Sequence, residues 1–260
     1  MKISIITACY NSEATIEDTI RSVISQDYEN LEFIIIDGAS TDRTMRIIEK
    51  YRAKIHKIIS EKDYGIYFAF NKGIRMASGD VVGILNSDDF YASSKVLSSV
   101  AEKFKTSGCD CLYSDILFIS KSNPSKIIRY WKAKEYQHGM FLKGWMPPHP
   151  TFFVKRELYN RYGFYNESLQ YSADYELMLR FIHRYRISTA YLPEITIKMR
   201  MGGFGNESIR AKIQANLEDR KAWMLNGMNP GFFTLLYKPV SKIGQFFKKN
   251  YPKFYGKQDH

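Results

Sequence analysis

The sequence predicts an α/β fold, a mostly parallel sheet flanked by helices on both faces, and three observations predict it. In the first half of the 260 residues, strand-like and helix-like patterns alternate, which is the signature of βαβ units. Residues 31–37 form a continuous apolar run ending in a carboxylate, as expected of a parallel strand buried on both faces. Polar residues gather just beyond four of the predicted strands, the edge at which open α/β sheets bind ligands.

Residues 2–7 read as the first strand. Asn11 or Ser12 then caps a helix whose apolar face is Ile16, Ile20, Val23 and Ile24, at helical spacing. Glu13, Glu17 and Asp18 lie in its first turns, where negative charge suits the helix dipole. After the second strand, Ser40 or Thr41 caps a helix running to about Tyr51. Residues 55–60 form a third, shorter strand, and 63–77 a loop feeding a helix. Tyr64, Tyr67, Phe68 and Phe70 in that segment read as packing residues. Residues 81–86 form the fourth strand, followed by a helix over 95–105 with Val96, Leu97, Val100 and Phe104 inward.

The second half has a different pattern. Residues 112–120 and 127–131 read as antiparallel strands joined across Asn123-Pro124, and 151–154 as a short strand. A helix over 174–185 carries Leu177, Phe181 and Tyr185 on one stripe. A last helix over 208–226 is broken by Gly227-Met228-Asn229-Pro230-Gly231. The chain therefore divides into a first half (1–110), a second half of the same domain (111–226) and a basic, aromatic tail (227–260).

Composition narrows the classes. With 45% hydrophobic and 25% charged residues the chain is not disordered as a whole. Its longest apolar runs, such as Phe33-Ile34-Ile35-Ile36, fall far short of the ~20 residues of a membrane span. Met1-Lys2 leads straight into a predicted strand, so an ordinary secretory signal is not expected. Cys9, Cys109 and Cys111 make neither a disulfide framework nor a zinc knuckle, and read as reduced thiols of a cytosolic protein. The net charge of +11 suits a polyanionic partner: nucleic acid, an anionic membrane or a phosphorylated substrate. Residues 238–260 hold six lysines and one aspartate, +5 of that charge, leaving +6 for the rest. Val240, Ile243 and Phe247 fall on one helical face there, with Lys238, Lys242, Lys248 and Lys249 around it. Such a helix would lie on an anionic membrane surface.

No dinucleotide fingerprint, H-E-x-x-H or G-x-S-x-G occurs. The strongest positive signal is Leu85-Asn86-Ser87-Asp88-Asp89 after the fourth strand. Two adjacent carboxylates cost energy unless a cation neutralises them, and carboxylate with phosphate oxygens is a natural ligand set for Mg²⁺ or Mn²⁺. The bland alternative is that Asp88 or Asp89 caps the next helix. Asp37 and Asp63 also follow predicted strands, and the alternative for Asp37 is a turn residue before Gly38. Three strand-end acids with no run of bases beside them argue against three independent caps. Asp174 stands near a helix N-terminus, and spacing alone fits a capping aspartate. His149 lies between prolines.

Taken in order, Ile5-Ile6-Thr7-Ala8-Cys9-Tyr10-Asn11, Ile36-Asp37-Gly38-Ala39-Ser40-Thr41-Asp42, Asp63-Tyr64-Gly65-Ile66-Tyr67 through Asn71-Lys72-Gly73-Ile74, and Leu85-Asn86-Ser87-Asp88-Asp89 resemble the family 2 inverting glycosyltransferases of GT-A fold. His149-Pro150-Thr151-Phe152-Phe153 and Ala173-Asp174-Tyr175-Glu176-Leu177 match the acceptor half of that family, and the likeness covers roughly residues 2–205. It implies a Rossmann-like, mostly parallel sheet with a smaller antiparallel acceptor-side portion. It implies that Thr7, Ala8 and Tyr10 line the nucleotide pocket, that Asp37 contacts the base, most often uracil, and that Asp63 faces the nucleoside. Asp88 and Asp89 match the metal-binding acids, which hold Mn²⁺ or Mg²⁺ on the diphosphate, and Asp174 matches the catalytic base. Asn71, Asn86, Ser87 and His149 lie inside the matching motifs and are expected to meet substrate. Asn86 stands where the first acid of the usual D-x-D is found.

The expected activity is transfer of a sugar from a nucleotide-sugar donor, with inversion, to a glycan or lipid-linked sugar acceptor of a surface polysaccharide. The expected location is the cytoplasm, peripheral on the inner membrane face through the tail. Lys198, Arg200 and His149 are lesser candidates for assisting the diphosphate. One rival, a sugar-nucleotide nucleotidyltransferase, wants a glycine-rich basic loop after the first strand, which Ala8–Asn11 lacks. The other, a basic nucleic-acid-binding protein, is opposed by the acids at the strand ends, so no nucleic-acid partner is expected.

Overall fold

The computed structural model describes residues 1–201 and 209–231. The basic tail of 238–260, with its expected surface-lying helix, lies outside them. The alternating first half forms β1 (Ile3–Cys9), α1 (Ile16–Ile24), β2 (Leu31–Asp37), α2 (Thr44–Glu49), β3 (Lys57–Ser60), α3 (Ile66–Met76) and β4 (Val81–Ile84). β1 pairs parallel with β2 and with β4, and β2 pairs parallel with β3. Every residue of β1 is buried, as are six of the seven in β2. A strand covered on both faces has no polar face to alternate with, which is why it reads as a continuous apolar run.

The remainder runs β5 (Phe90–Tyr91), α4 (Val96–Ser107), β6 (Cys111–Ile119), β7 (Ile127–Trp131), β8 (Phe153–Lys155), α5 (Glu157–Tyr162), α6 (Ala173–Met178), β9 (Thr189–Arg200) and α7 (Ile209–Leu225). One sheet results, in the order β3-β2-β1-β4-β8-β6-β9-β5, with β7 on β6. The antiparallel β6–β7 pair forms as expected. β8 enters between β4 and β6, antiparallel to both, so the sheet changes from parallel to mixed where the first half meets the second.

Several expectations need correction. The helix after β2 starts at Thr44, not Ser40 or Thr41, because Ser40 turns back to Asp37 and the Asp42 carboxylate takes the Thr44 N–H at 2.9 Å. Neither Asn11 nor Ser12 caps α1, which starts at Ile16 behind Thr15; for Asn11 the reason is its turn. Its backbone has φ 47°, and its side-chain oxygen accepts the Thr41 N–H at 2.9 Å. The expected α-helix over 174–185 is α6 followed by a π-helical turn, Leu179–Arg184, and Tyr185 is exposed rather than on an inward stripe. Among the aromatics of 64–70, Tyr67 and Phe70 are buried, but Tyr64 is exposed.

No pattern in the sequence announces strand β9 or helix α5. Pro193-Glu194 interrupts the β9 pattern, and the structure places that pair, exposed, in a register shift between Ser114↔Leu192 and Asp115↔Ile195. A bulge is where a strand tolerates a residue without an N–H.

Candidate active site

Four loops meet at the carboxyl edge of β1–β4, each held by side chains of the others. After β1, Ser12 donates its N–H to Thr44 Oγ1 at 2.7 Å and its hydroxyl lies 3.0 Å from that of Ser87. Ser87 belongs to the loop after β4, so the first and fourth loops touch. After β2, Ser40 Oγ accepts the Asn11 N–H at 2.9 Å. After β3, Ser60 donates to Asp37 at 2.6 Å. Tyr10 projects from this edge, exposed, and Ala8 is buried just beneath it.

The four donor-edge acids are held in different ways. Asp37 is fully buried and both oxygens are in use, accepting from Ser40 N–H (3.0 Å), Ser40 Oγ (2.5 Å), Ser60 Oγ (2.6 Å) and the Cys9 thiol (3.6 Å). It organises the turn, which was the alternative reading of that residue. Asp63 is half-buried. Its Oδ1 accepts from Lys72 at 2.7 Å, while Oδ2 is buried with no partner among the described residues. Thr7 Oγ1, fully buried on β1, is unpartnered in the same sense. A buried oxygen without a donor costs free energy unless something fills the role.

Asp88 and Asp89 do not cap α4, which begins seven residues after Asp89, at Val96. Asp89 is fully buried, and its carboxylate accepts from Asn86 Nδ2 and from the Arg200 N–H, both at 3.2 Å. Burial and the neighbouring Asp88 charge push its pKa well up. Asp88 is half-buried, and no other residue's side chain is hydrogen-bonded to its carboxylate among the described residues. Burial raises its pKa too, against the pull of Arg200 and Lys121. Arg200 does not reach out toward a diphosphate. Its guanidinium is spent on the Asp88 carbonyl (2.7 Å) and on Asp18, and it lies 4.9 Å over Phe90. Lys198, opposite Phe90 in the sheet, stands half-buried over the same ring.

Among the described residues, no group of three or more His, Cys, Asp or Glu could hold a metal unaided. A half-buried carboxylate that no other side chain engages among the described residues, Asp88, does fit an ion that takes its remaining ligands from phosphate and water, the usual arrangement for Mg²⁺.

The second half of the chain adds Asp174, in the first turn of α6. It is not a cap. One carboxylate oxygen lies 3.2 Å from His149 Nδ1, and the other 3.5 Å from the Tyr67 hydroxyl. Tyr67 sits at the start of α3, which follows Asp63 and Gly65. Burial, followed by the Asp174 charge, pushes its pKa well up, so it stays a donor at neutral pH.

Two glycines permit this placement. Gly65 has φ +133°, in the region that disfavours side chains. At Gly73 a Cβ would meet Ile6 Cγ2 at 2.4 Å, so only glycine lets α3 lie this close to β1.

Asn71, one turn along α3 from Tyr67, was expected to meet substrate. Its amide is instead engaged with the acceptor half. It accepts the Tyr165 N–H (2.9 Å) and donates to the Tyr165 carbonyl (2.9 Å) and Glu167 (2.7 Å). Tyr165 in turn stacks on Tyr67, with centroids 5.7 Å apart. Helix α3 is therefore tied, through Tyr67, Asn71 and Tyr165, to the segment that carries Asp174. Sequence reasoning missed Tyr67 in this role because its apolar neighbours make it look like core.

A separate cleft of about 830 Å³ opens at the other edge of the sheet, where β1 and β4 begin, lined by Met1, Tyr28, Asp80, Phe104, Lys155 and Arg156. It holds none of the expected site residues.

Residues 4–165 match the family described as Glycosyl transferase family 2. The chain belongs to that family. It is 27% identical over 266 residues to the uncharacterized glycosyltransferase RT0329 of Rickettsia typhi, covering 95% of this chain and 80% of that protein. It is 37% identical over 99 residues to WfaP of Escherichia coli, named a UDP-Glc:alpha-D-GlcNAc-diphosphoundecaprenol beta-1,3-glucosyltransferase; the match covers 38% of this chain and 39% of WfaP. Among solved structures, Staphylococcus aureus TarS 1–349 in complex with UDP-GlcNAc superposes with TM-score 0.65 at 19% identity, over 87% of this chain and 65% of that one. The mannosyltransferase PcManGT of Pyrobaculum calidifontis, in complex with GDP-Man and Mn²⁺, gives TM-score 0.65 at 17% identity, over 93% of this chain and 69% of that one. The fold of this family 2 enzyme is thus the GT-A fold expected from its motifs. Its glycosyltransferase class follows from the family.

Proposed function

We propose that this glycosyltransferase moves a sugar from a UDP-sugar, with inversion, to a hydroxyl of a glycan or lipid-linked acceptor in the assembly of a surface polysaccharide. The observation that carries this reading is the contact between Tyr67 and Asp174. It ties the helix that follows the donor loops to an acid that no cap consumes. The name of WfaP, with its lipid diphosphate acceptor, and the UDP-GlcNAc complex of TarS support the choice of acceptor and donor.

Asp174 accepts the proton of the attacking acceptor hydroxyl as the glycosidic bond forms and the bond to the diphosphate breaks. His149 and Tyr67 fix its two oxygens so that it faces one way. The vacant Oδ2 of Asp63 accepts an N–H of the base or a ribose hydroxyl. Asp37 acts through the loop it shapes, with Thr7, Ala8 and Tyr10 completing the nucleotide wall. Asn86 and Ser87 set the course of the acidic loop. Asp88 would hold the metal directly, and Asp89, locked by Asn86 and Arg200, holds that loop in place. When bound, Mn²⁺ or Mg²⁺ would offset the charge growing on the leaving diphosphate. Asn71 positions Tyr67 and Tyr165. The enzyme works in the cytoplasm, where its nucleotide donor is found, and its tail rests on the inner membrane face.

Incubating the full chain with Mn²⁺, a panel of nucleotide sugars and a lipid-diphosphate-linked acceptor tests the reading. Release of UDP with a product of opposite anomeric configuration is the expected result. Release of pyrophosphate, or retention of configuration, would overturn it.

A further inference from the structure

Helix α7 carries two faces that its overall polarity conceals. Its inward face packs on the segment leading to Asp174. Glu218 accepts the N–H groups of Gln170, Tyr171 and Ser172 at 2.7–3.1 Å. Trp223 donates to the Tyr175 hydroxyl at 2.8 Å, and just past the helix Asn226 donates to Glu176 at 2.9 Å. Both acids whose side chains are described on this helix, Glu218 and Asp219, are buried, at 5% and 2% exposure.

The outward face is the reverse. Ile213, Leu217 and Met224 are 57%, 59% and 58% exposed, and at about 100° per residue they fall within about 40° of one another. Exposed Arg220 lies on one side of the stripe and exposed Lys221 on the other. No acid is exposed among the described side chains of α7. Isolated surface leucines are ordinary. An apolar stripe flanked by bases, with every described acid of its helix turned inward, is not.

We infer that the outer face of α7 docks on an anionic lipid bilayer, with Ile213, Leu217 and Met224 entering the headgroup–acyl boundary and Arg220 and Lys221 meeting the headgroups. Charge selects this occupant. A second copy of the same face would set Arg220 and Lys221 against their like, with no exposed acid on the helix to pair them. A bilayer of phosphate-bearing lipids complements them and accepts the apolar stripe between. Because the inner face of the same helix grips residues 170–172, docking would bring Asp174 to a fixed height above the membrane. This deepens the membrane placement proposed above by assigning it to α7, and the triple variant, which keeps the tail, separates the two surfaces.

The test is flotation of the full chain with vesicles of equimolar phosphatidylcholine and phosphatidylglycerol. The wild type should float with them. The triple variant Ile213→Ser, Leu217→Ser, Met224→Ser should bind at least about tenfold more weakly, with unchanged thermal stability and unchanged turnover of a soluble acceptor. A Leu217→Trp variant gives a second reading. Its added emission should shift to the blue on vesicle addition and be quenched by brominated acyl chains. Equal flotation of wild type and triple variant, or a Leu217→Trp signal blind to vesicles, would overturn the inference. A concentration-dependent dimer lost in the triple variant, with no flotation of the wild type, would assign the face to a second copy instead.

Discussion

Two buried acids, Glu32 in the first half of the chain and Asp115 in the second, are held by different means. In the donor half, Glu32 accepts from Ser4 (2.6 Å) and from the Ser78 N–H and hydroxyl (2.7 and 2.9 Å), with Lys57 and Lys2 at 3.4 and 3.7 Å. Burial pushes its pKa up, but these donors outweigh it and bring the value down to about 2. In the acceptor half, Asp115 is equally buried, but its partners are the tyrosine hydroxyls of Tyr130 and Tyr191 and the Ala133 N–H. There burial prevails, and the pKa rises. The site repeats the contrast. Asp37 is gripped by a hydroxyl and an N–H three residues on, whereas Asp174 is braced by Tyr67, 107 residues away. Hydroxyls and amides favour a charged acid wherever they can donate to it. Aromatic packing fixes an acid's direction while stripping its water.

Apart from Asp174, the base, the largest effect expected from breaking this arrangement is at Asp88. Asp88→Ala should lower turnover by about 10²–10³, a typical loss for a group that stabilises developing charge, and Mn²⁺ should no longer raise the melting temperature in the presence of UDP. Calorimetry with and without the ion checks it. Unchanged metal stimulation would remove Asp88 from the ligand role.

Next is Glu32. Its folded pKa lies below its unfolded value of about 4.3, so the folded state holds fewer protons in that range. The stability it confers is present above about pH 4.3 and is lost as pH falls toward about 2. Glu32→Gln should therefore lose about 3 kcal/mol at neutral pH and unfold at acid pH much as the wild type does. Denaturation across the pH range would show it.

Tyr67→Phe removes one brace from Asp174 without opening a cavity. A drop of about tenfold in kcat with donor KM unchanged is expected, the size of one hydrogen bond. A rise in KM alone would place Tyr67 in binding.

The smallest effect is at Asp115, where the sign reverses. Its folded pKa exceeds the unfolded value, so its charge costs stability as pH rises above about 4. Asp115→Asn should gain on the wild type as pH rises, seen as a growing difference in melting temperature.

The same contrast explains what the sequence could reveal. The strands and helices of the donor half rest on runs and periods within one segment, so residues 31–37 and the inward face of Val96, Leu97, Val100 and Phe104 were legible. The strand-end acids were legible as well, because a parallel sheet gathers such ends at one edge. The acceptor half rests on long-range pairing. β9 exists because β6 offers it an edge, and Pro193 masks its pattern. Tyr67 beside Asp174, Arg200 behind Asp88 and the Asn71–Tyr165 clamp are products of tertiary structure. No spacing within a single segment announces them.

The central claim is that a donor edge carrying Asp88 and an acceptor-side base, Asp174, work on one substrate while doing separate jobs. Asp174→Asn tests it most directly, with UDP affinity in Mn²⁺ and transfer rate measured on the same preparation. Affinity within about twofold of wild type, with transfer slowed by roughly 10²–10⁴, is the predicted result. Transfer at the wild-type rate, or loss of UDP binding in step with transfer, would contradict it.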